Sequence, residues 1–248
     1  MIPDELTQPV DLPVDEALAL LAHGKLTVEG RLVDASNATM YCAVSDAGIS
    51  AACVYKPVAG ERPLWDFPDG TLAEREVAAF EMSAALEWGI VPPTVHRDGP
   101  LGPGMVQLWI ADDDTVDVVR LMRRRDRPEL RRIAVFDAIV NNADRKGGHL
   151  LPVAGGHVYG VDHGVTFHAE DKLRTVLWQW AGLPLPAEAI DALGALCAQL
   201  AGPLGDRLGD LLTGREVRRT TRRVEQLLAR GCHPEPSDDW PAVPWPPI

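Results

Sequence analysis

Apolar residues follow two different rhythms along the chain, and the change from one to the other divides it. Near the start, "PVDEALALLAHG" (13–24) spaces Leu18, Leu20, Leu21 and Ala22 in a short helical pattern that Gly24 stops. The rhythm then becomes alternation: "KLTVEGRLV" sets Leu26, Val28 and Leu32 against Thr27, Glu29 and Arg31, and "TMYCAVS" and "ISAACVYK" follow around the turn "DAG". These stretches predict three strands in a meander ending at Lys56. A turn-rich loop (57–70) leads to "TLAEREVAAFEMSAALEWG", a predicted helix in which Thr71 and Glu74 have capping-box spacing and Gly89 is the stop. "VPPTVHRDGPLGPG" predicts a strand and turn, and "MVQLWI" (105–110) an apolar strand, before "ADDDT" (111–115) breaks the pattern.

Beyond that break the helical period dominates. "RPELRRIAVFDAIVNN" places Leu130, Ile133, Ala134 and Val140 on one face, with Pro128 suited to the first turn. "HLLPV" and "HVYGV" flank "AGG" as a hairpin, and "LRTVLWQWAG", "PAEAIDALGALCAQL" and "GREVRRTTRRVEQLLARG" predict helices. The tail "HPEPSDDWPAVPWPPI" holds too many prolines for helix or sheet and is expected to be extended. The predicted organisation is a strand-rich lobe with one long helix (1–111), a mainly helical lobe (112–232) and a Pro/Trp-rich tail (233–248).

Composition narrows the class. A chain of 248 residues, 46% hydrophobic and 24% charged, can bury a sizeable core and reads as folded. Acidic residues exceed basic ones, 36 against 24, and the net charge of −12 counts against nucleic acid or an anionic lipid surface as partner. "MIPDELTQPV" lacks the charged and apolar regions of a signal peptide, and no apolar run approaches a membrane span, so a cytoplasmic protein without stable membrane association is expected. Cys42, Cys53, Cys197 and Cys232 show neither C-x-x-C pairing nor zinc-like spacing, which predicts reduced, mostly buried thiols. The cluster from Arg120 to Arg132 runs against the acidic trend and reads as a solvated helix face, with an acidic or phosphorylated partner as the other reading.

The candidate chemistry lies in "NNADRKGGHLL" (141–151) and "YGVDHG" (159–164). Taken singly, Asp144, His149 and Asp162 are ordinary turn or structural residues, Lys56 a strand-end lysine and Glu76 a solvated helix position. Taken together they match what phosphoryl transfer needs: a cation on the phosphates, ligands for a divalent metal, and a group against the acceptor hydroxyl. Lys56 ends a strand, and Glu76 follows in the next helix, where it would hold that lysine. A hairpin brings the residue before its first strand and the residue after its second to the same end, so Asp144, His149 and Asp162 can converge.

On these residues the chain resembles the phosphatidylinositol 3/4-kinase-like branch of the protein-kinase superfamily, and a compact kinase-related family of actinobacteria. "DRKGGH" (144–149) fits the catalytic loop, "VDHG" (161–164) the D-x-G motif, "VYKP" (54–57) the lysine strand and "REVAAF" (75–80) the helix of the paired glutamate, over about residues 27 to 170. The resemblance implies an α+β, two-lobed protein-kinase-like fold. It implies Asp144 and Lys146 as catalytic residues, His149 and Asp162 as ligands of Mn2+ or Mg2+, and Ser36, Asn37, Lys56, Glu76, Gln107 and Trp109 around ATP. Two departures stand out: His149 replaces the usual Asn, which favours manganese, and "DASNAT" (34–39) replaces the Gly-rich phosphate loop. The implied activity is that of an atypical serine/threonine kinase acting on a protein or on itself, with a lipid or small-molecule kinase, or a nucleotide-binding pseudokinase, as alternatives.

Overall fold

The computed structural model describes residues 12–32 and 37–248. The predicted first helix forms as α1 (Val14–His23), and it buries Ala17, Leu20 and Leu21 against one face of a sheet. That sheet has five antiparallel strands: β1 (Lys25–Leu32), β2 (Thr39–Asp46), β3 (Ile49–Pro57), β4 (Thr94–Gly99) and β5 (Gly102–Leu108). They lie in the order β1-β2-β3-β5-β4. Alternation sends Cys42, Val44, Ala51, Cys53, Tyr55 and Val106 toward α1, and so leaves Val54, Lys56 and Gln107 on the opposite face. Cys42 and Cys53 are buried register partners, and burial pushes the Cys42 thiol up to about 12.

The long helix of the first lobe, α2 (Leu72–Ala85), starts where predicted but is capped differently. Thr71 donates its hydroxyl to the Pro68 carbonyl and does not cap; the free N–H groups of Leu72 and Ala73 donate instead to the Glu61 carboxylate, at 3.1 and 2.9 Å. A carboxylate on the positive end of a helix replaces the local capping box with one from a neighbouring loop. The helix stops at Ala85, four residues before Gly89, because the chain turns into a left-handed conformation at Glu87, φ 56°.

The second lobe is built on α3 (Val118–Leu121), α4 (Pro128–Val140), α5 (Ala187–Leu200), α6 (Pro203–Gly209) and α7 (Gly214–Arg230), with the hairpin β6 (Leu150–Pro152) and β7 (Val158–Gly160). Leu130, Ile133, Phe136, Val140, Leu193, Leu196 and Val224 fill its core. Thr213 and Glu216 form the capping box of α7, and Glu216 also binds Arg75 of α2 at 2.6 Å, which joins the lobes. The helix predicted over "LRTVLWQWAG" does not form. Its backbone is used across the fold: the N–H groups of Arg174, Thr175 and Val176 donate to the carbonyls of Asn142, Ala242 and Arg145. Those bonds replace the i to i−4 ladder a helix would need.

The clustered arginines are dispersed among separate partners. Arg124 pairs with Asp126, Arg132 with Glu188, and Arg131 bonds Pro184 and His233. Trp180 is buried as expected of a core residue, whereas Trp178 is half-buried and donates its indole N–H to the Ala242 carbonyl at 2.8 Å. The tail is neither helix nor sheet beyond residue 233 but bends rather than running extended, and it packs back on the second lobe, where the Ala242 and Pro247 carbonyls accept the N–H groups of Thr175 and Gly147.

Candidate functional site

A cleft of about 680 Å3 separates the lobes, within the range of small-molecule sites. Lys56, near the end of β3, points into it from the sheet face opposite α1. Its ammonium donates to Glu76 Oε1 at 2.6 Å and to Asp162 Oδ1 at 2.8 Å. Glu76 is 1% exposed, and its second oxygen accepts the His163 N–H at 2.8 Å, so one carboxylate ties together β3, α2 and the turn after β7. Asp162 takes a left-handed backbone, φ 61°, which an Asp tolerates and which breaks the strand direction beyond β7.

Electrostatics reinforce the arrangement. Burial opposes the charge on Lys56, but Asp162 and Glu76 outweigh it and hold the ammonium above the usual lysine range. Lys56 holds the Asp162 carboxyl far below the usual carboxylate range, with help from His149. Burial pushes the His149 imidazole down, against the attraction of Asp162, and keeps the ring neutral at neutral pH. Its Nε2 lies 3.3 Å from Asp162 Oδ2, and its Nδ1 accepts a long bond, 3.5 Å, from the Lys146 N–H.

The hairpin geometry thus brings His149 to Asp162 as the chain pattern predicts. Asp144 and Lys146 line the same cleft as an ion pair at 3.1 Å, and the Asp144 N–H is held by Asn142 Oδ1 at 2.9 Å. Gln107 and Trp109 line the cleft from β5 and the segment after it; Trp109 meets Tyr41 edge to face, centroids 5.1 Å apart. Asn37 lines it too, with its side-chain Oδ1 accepting the Arg62 backbone N–H at 2.9 Å, while Ser36 lies outside the described residues.

Between the two cleft residues Asp144 and Lys146, Arg145 turns the other way. Its guanidinium is fully buried and binds both oxygens of Asp137, at 3.0 to 3.1 Å, the Val161 carbonyl at 2.9 Å and His163 Nε2 at 2.5 Å. Sequence reasoning passed over this pair. The available signal was Asp137, an acidic residue inside an otherwise apolar helix face. The tail also reaches the cleft: Pro246 and Ile248 line it, and the Gly147 N–H donates to the Pro247 carbonyl at 2.8 Å.

Among the described residues no group of three or more His, Cys, Asp or Glu side chains is assembled as a metal cage. Asp162 and His149 supply two donors, one carboxylate and one neutral imidazole. That set fits a divalent cation of the magnesium or manganese kind, whose other positions are commonly taken by phosphate and water oxygens. No helix of the described residues is long and apolar enough to cross a membrane.

No protein-family model matches the chain. Among solved structures, the Golgi casein kinase with Mn/ADP bound superposes with a TM-score of 0.60 at 15% identity, over 88% of this chain and 75% of that one. A second structure of the Golgi casein kinase gives 0.57 at 14% identity, over the same shares. These likenesses establish a two-lobed kinase-like fold; they do not single out the phosphatidylinositol kinase branch that the motifs resemble. Among curated proteins, Protein Rv2133c of Mycobacterium tuberculosis (strain ATCC 25618 / H37Rv) is 45% identical over 266 aligned positions, covering 94% of this chain and 95% of that protein. With that identity along nearly its whole length, the chain belongs to the family of Protein Rv2133c.

Proposed function

We propose that the chain is an atypical ATP-dependent phosphotransferase that acts on serine or threonine hydroxyls of a protein, its own included. The observation that carries the reading is the lysine shared between a buried glutamate and a cleft aspartate, Lys56 between Glu76 and Asp162, at 2.6 and 2.8 Å. Such a lysine is a placed cation for the inner phosphates of a nucleotide. Glu76 holds it from behind, because its other oxygen is anchored on His163 N–H. When phosphate oxygens take up Lys56, the carboxylate of Asp162 becomes available for a divalent cation, with His149 beside it. A bound cation supplies charge compensation for the phosphoryl oxygens.

Asp144 is the acceptor-side group. It orients the attacking hydroxyl and receives its proton, while Lys146 at 3.1 Å stabilises negative charge on the transferred group. The Mn/ADP complex of the Golgi casein kinase, of the same fold, supports a nucleotide and metal in this cleft. A net charge of −12 favours a protein over an anionic lipid as acceptor.

The test is incubation of the purified chain with Mn2+ or Mg2+ and ATP labelled on the γ-phosphate, read by intact mass and by transfer to a generic acidic protein acceptor, beside Asp162→Asn. Label gained by the wild type alone supports the reading. Label in both proteins sinks the assignment of Asp162, and nucleotide binding without transfer to any acceptor or to water favours a pseudokinase.

A further inference from the structure

The back of the cleft presents a defined hydrogen-bonding face to whatever base enters it. Gln107 stands opposite Val54 of β3 on one side and Thr94 of β4 on the other, is 4% exposed, and lines the cleft. Its amide nitrogen donates to Thr94 Oγ1 at 2.8 Å. The orientation of that amide is forced by its neighbours. The Thr94 hydroxyl has one proton, and it goes to the Pro92 carbonyl at 2.7 Å, since a carbonyl has none to give. Thr94 Oγ1 is therefore only an acceptor toward Gln107. A flipped amide would set two oxygens against each other with a single proton to satisfy both Pro92 and Gln107.

The side-chain carbonyl of Gln107 is thus the atom left for the cleft, and it has no donor among the described residues. The N–H groups of Leu108 and Trp109, the next two residues, already donate to the Pro93 and Ala52 carbonyls at 2.9 and 3.0 Å, so neither is left as a donor to a base.

We propose that Gln107, locked by Thr94 and Pro92, is a specificity-determining residue that selects a purine with an amino group at C6, adenine, and rejects guanine, which carries an oxygen there. An adenine amino group can donate to the Gln107 carbonyl. The O6 of guanine would oppose it, acceptor against acceptor, and the locked amide cannot turn to relieve the clash. An unpaired buried polar group costs about tenfold to hundredfold in affinity. The inference rests on the reading of the cleft as a nucleotide site.

Calorimetric titration of the chain with ADP and with GDP, each with Mn2+, tests it in the wild type, Thr94→Val, Thr94→Ser and Gln107→Met. Thr94→Val keeps shape but removes the lock, Thr94→Ser keeps the lock, and Gln107→Met removes the acceptor; thermal melting checks that each variant folds. The expected result is an ADP preference of about tenfold to hundredfold in the wild type and Thr94→Ser, falling to a few-fold or less in the other two. Equal binding of ADP and GDP by the wild type, or a preference that survives in both Thr94→Val and Gln107→Met, overturns the inference and leaves the nucleotide-site reading standing. Binding of neither nucleotide overturns both.

Discussion

Two ion-paired clusters lie one loop apart, and they differ in one respect that separates structure from chemistry. Arg145 and Asp137 are fully buried, and the guanidinium spreads its donors over a carboxylate, a carbonyl and an imidazole. Lys56 stands between two carboxylates, Glu76 and Asp162, at similar distances, but the Asp162 side chain is 49% exposed in the cleft. The first cluster is closed to any ligand. The second leaves a carboxylate that can exchange its partner, which is what a site for phosphate and metal requires. Neighbouring residues in "ADRKGG" therefore serve opposite ends: Arg145 holds the loop so that Asp144 and Lys146 can face the cleft.

The comparison can be broken most severely on its closed side. Asp137→Asn leaves the Arg145 charge buried without its counter-ion, and a loss of about 3–5 kcal/mol of unfolding free energy is expected by denaturant titration. The matching change on the open side, Asp162→Asn, is expected to lower stability by no more than about 1 kcal/mol, because the group is half in water. Its effect falls on transfer of labelled phosphate, expected to drop about 10²- to 10³-fold. If Asp162→Asn unfolds the chain, or Asp137→Asn spares its stability while abolishing transfer, the two clusters have been assigned the wrong way round.

Smaller effects sharpen the closed side. Burial and the Arg131 guanidinium push the His233 imidazole down to about 4. The unfolded chain binds the proton near the ordinary value of about 6.5, so below that pH it gains protons that the folded chain refuses. Stability from this group is present above about pH 6.5 and is lost as pH falls toward 4, and His233→Gln should flatten that part of a melting-temperature profile. The smallest effect is Trp178→Phe, which removes one donor from the Ala242 carbonyl. A loss of about 0.5–1.5 kcal/mol is expected, with faster amide exchange at Thr175, the other donor to that carbonyl, and at Gly147.

What was legible in the sequence was whatever depends on local period and order. Alternation along "TMYCAVS" and "ISAACVYK" places Lys56 on the cleft face, and the 3.6-residue pattern with Pro128 at its start marks α4. The hairpin rule brings His149 beside Asp162, because pairing Leu150 with Gly160 puts their flanking residues at one end. The failures have a common cause. "LRTVLWQWAG" has a helical pattern, but its N–H groups bond Asn142, Ala242 and Arg145, partners between 31 and 67 residues away that no local window contains. The cap of α2 came from Glu61, eleven residues before Leu72, for the same reason.

By itself, then, the sequence determined the strand-rich and helix-rich halves, the face on which Lys56 lies, and the spacing that lets Asp144, His149 and Asp162 meet, since each follows from periodicity and chain connectivity. Only the tertiary structure decided that Glu76 anchors the lysine through His163, that Arg145 is buried and Asp162 is not, that the Gln107 amide is held in one orientation, and that the Pro-rich tail reaches the loop holding Asp144 and Lys146. Those outcomes depend on burial and on hydrogen-bond partners far apart in the chain. They arise only when packing has chosen which polar groups remain in reach of water.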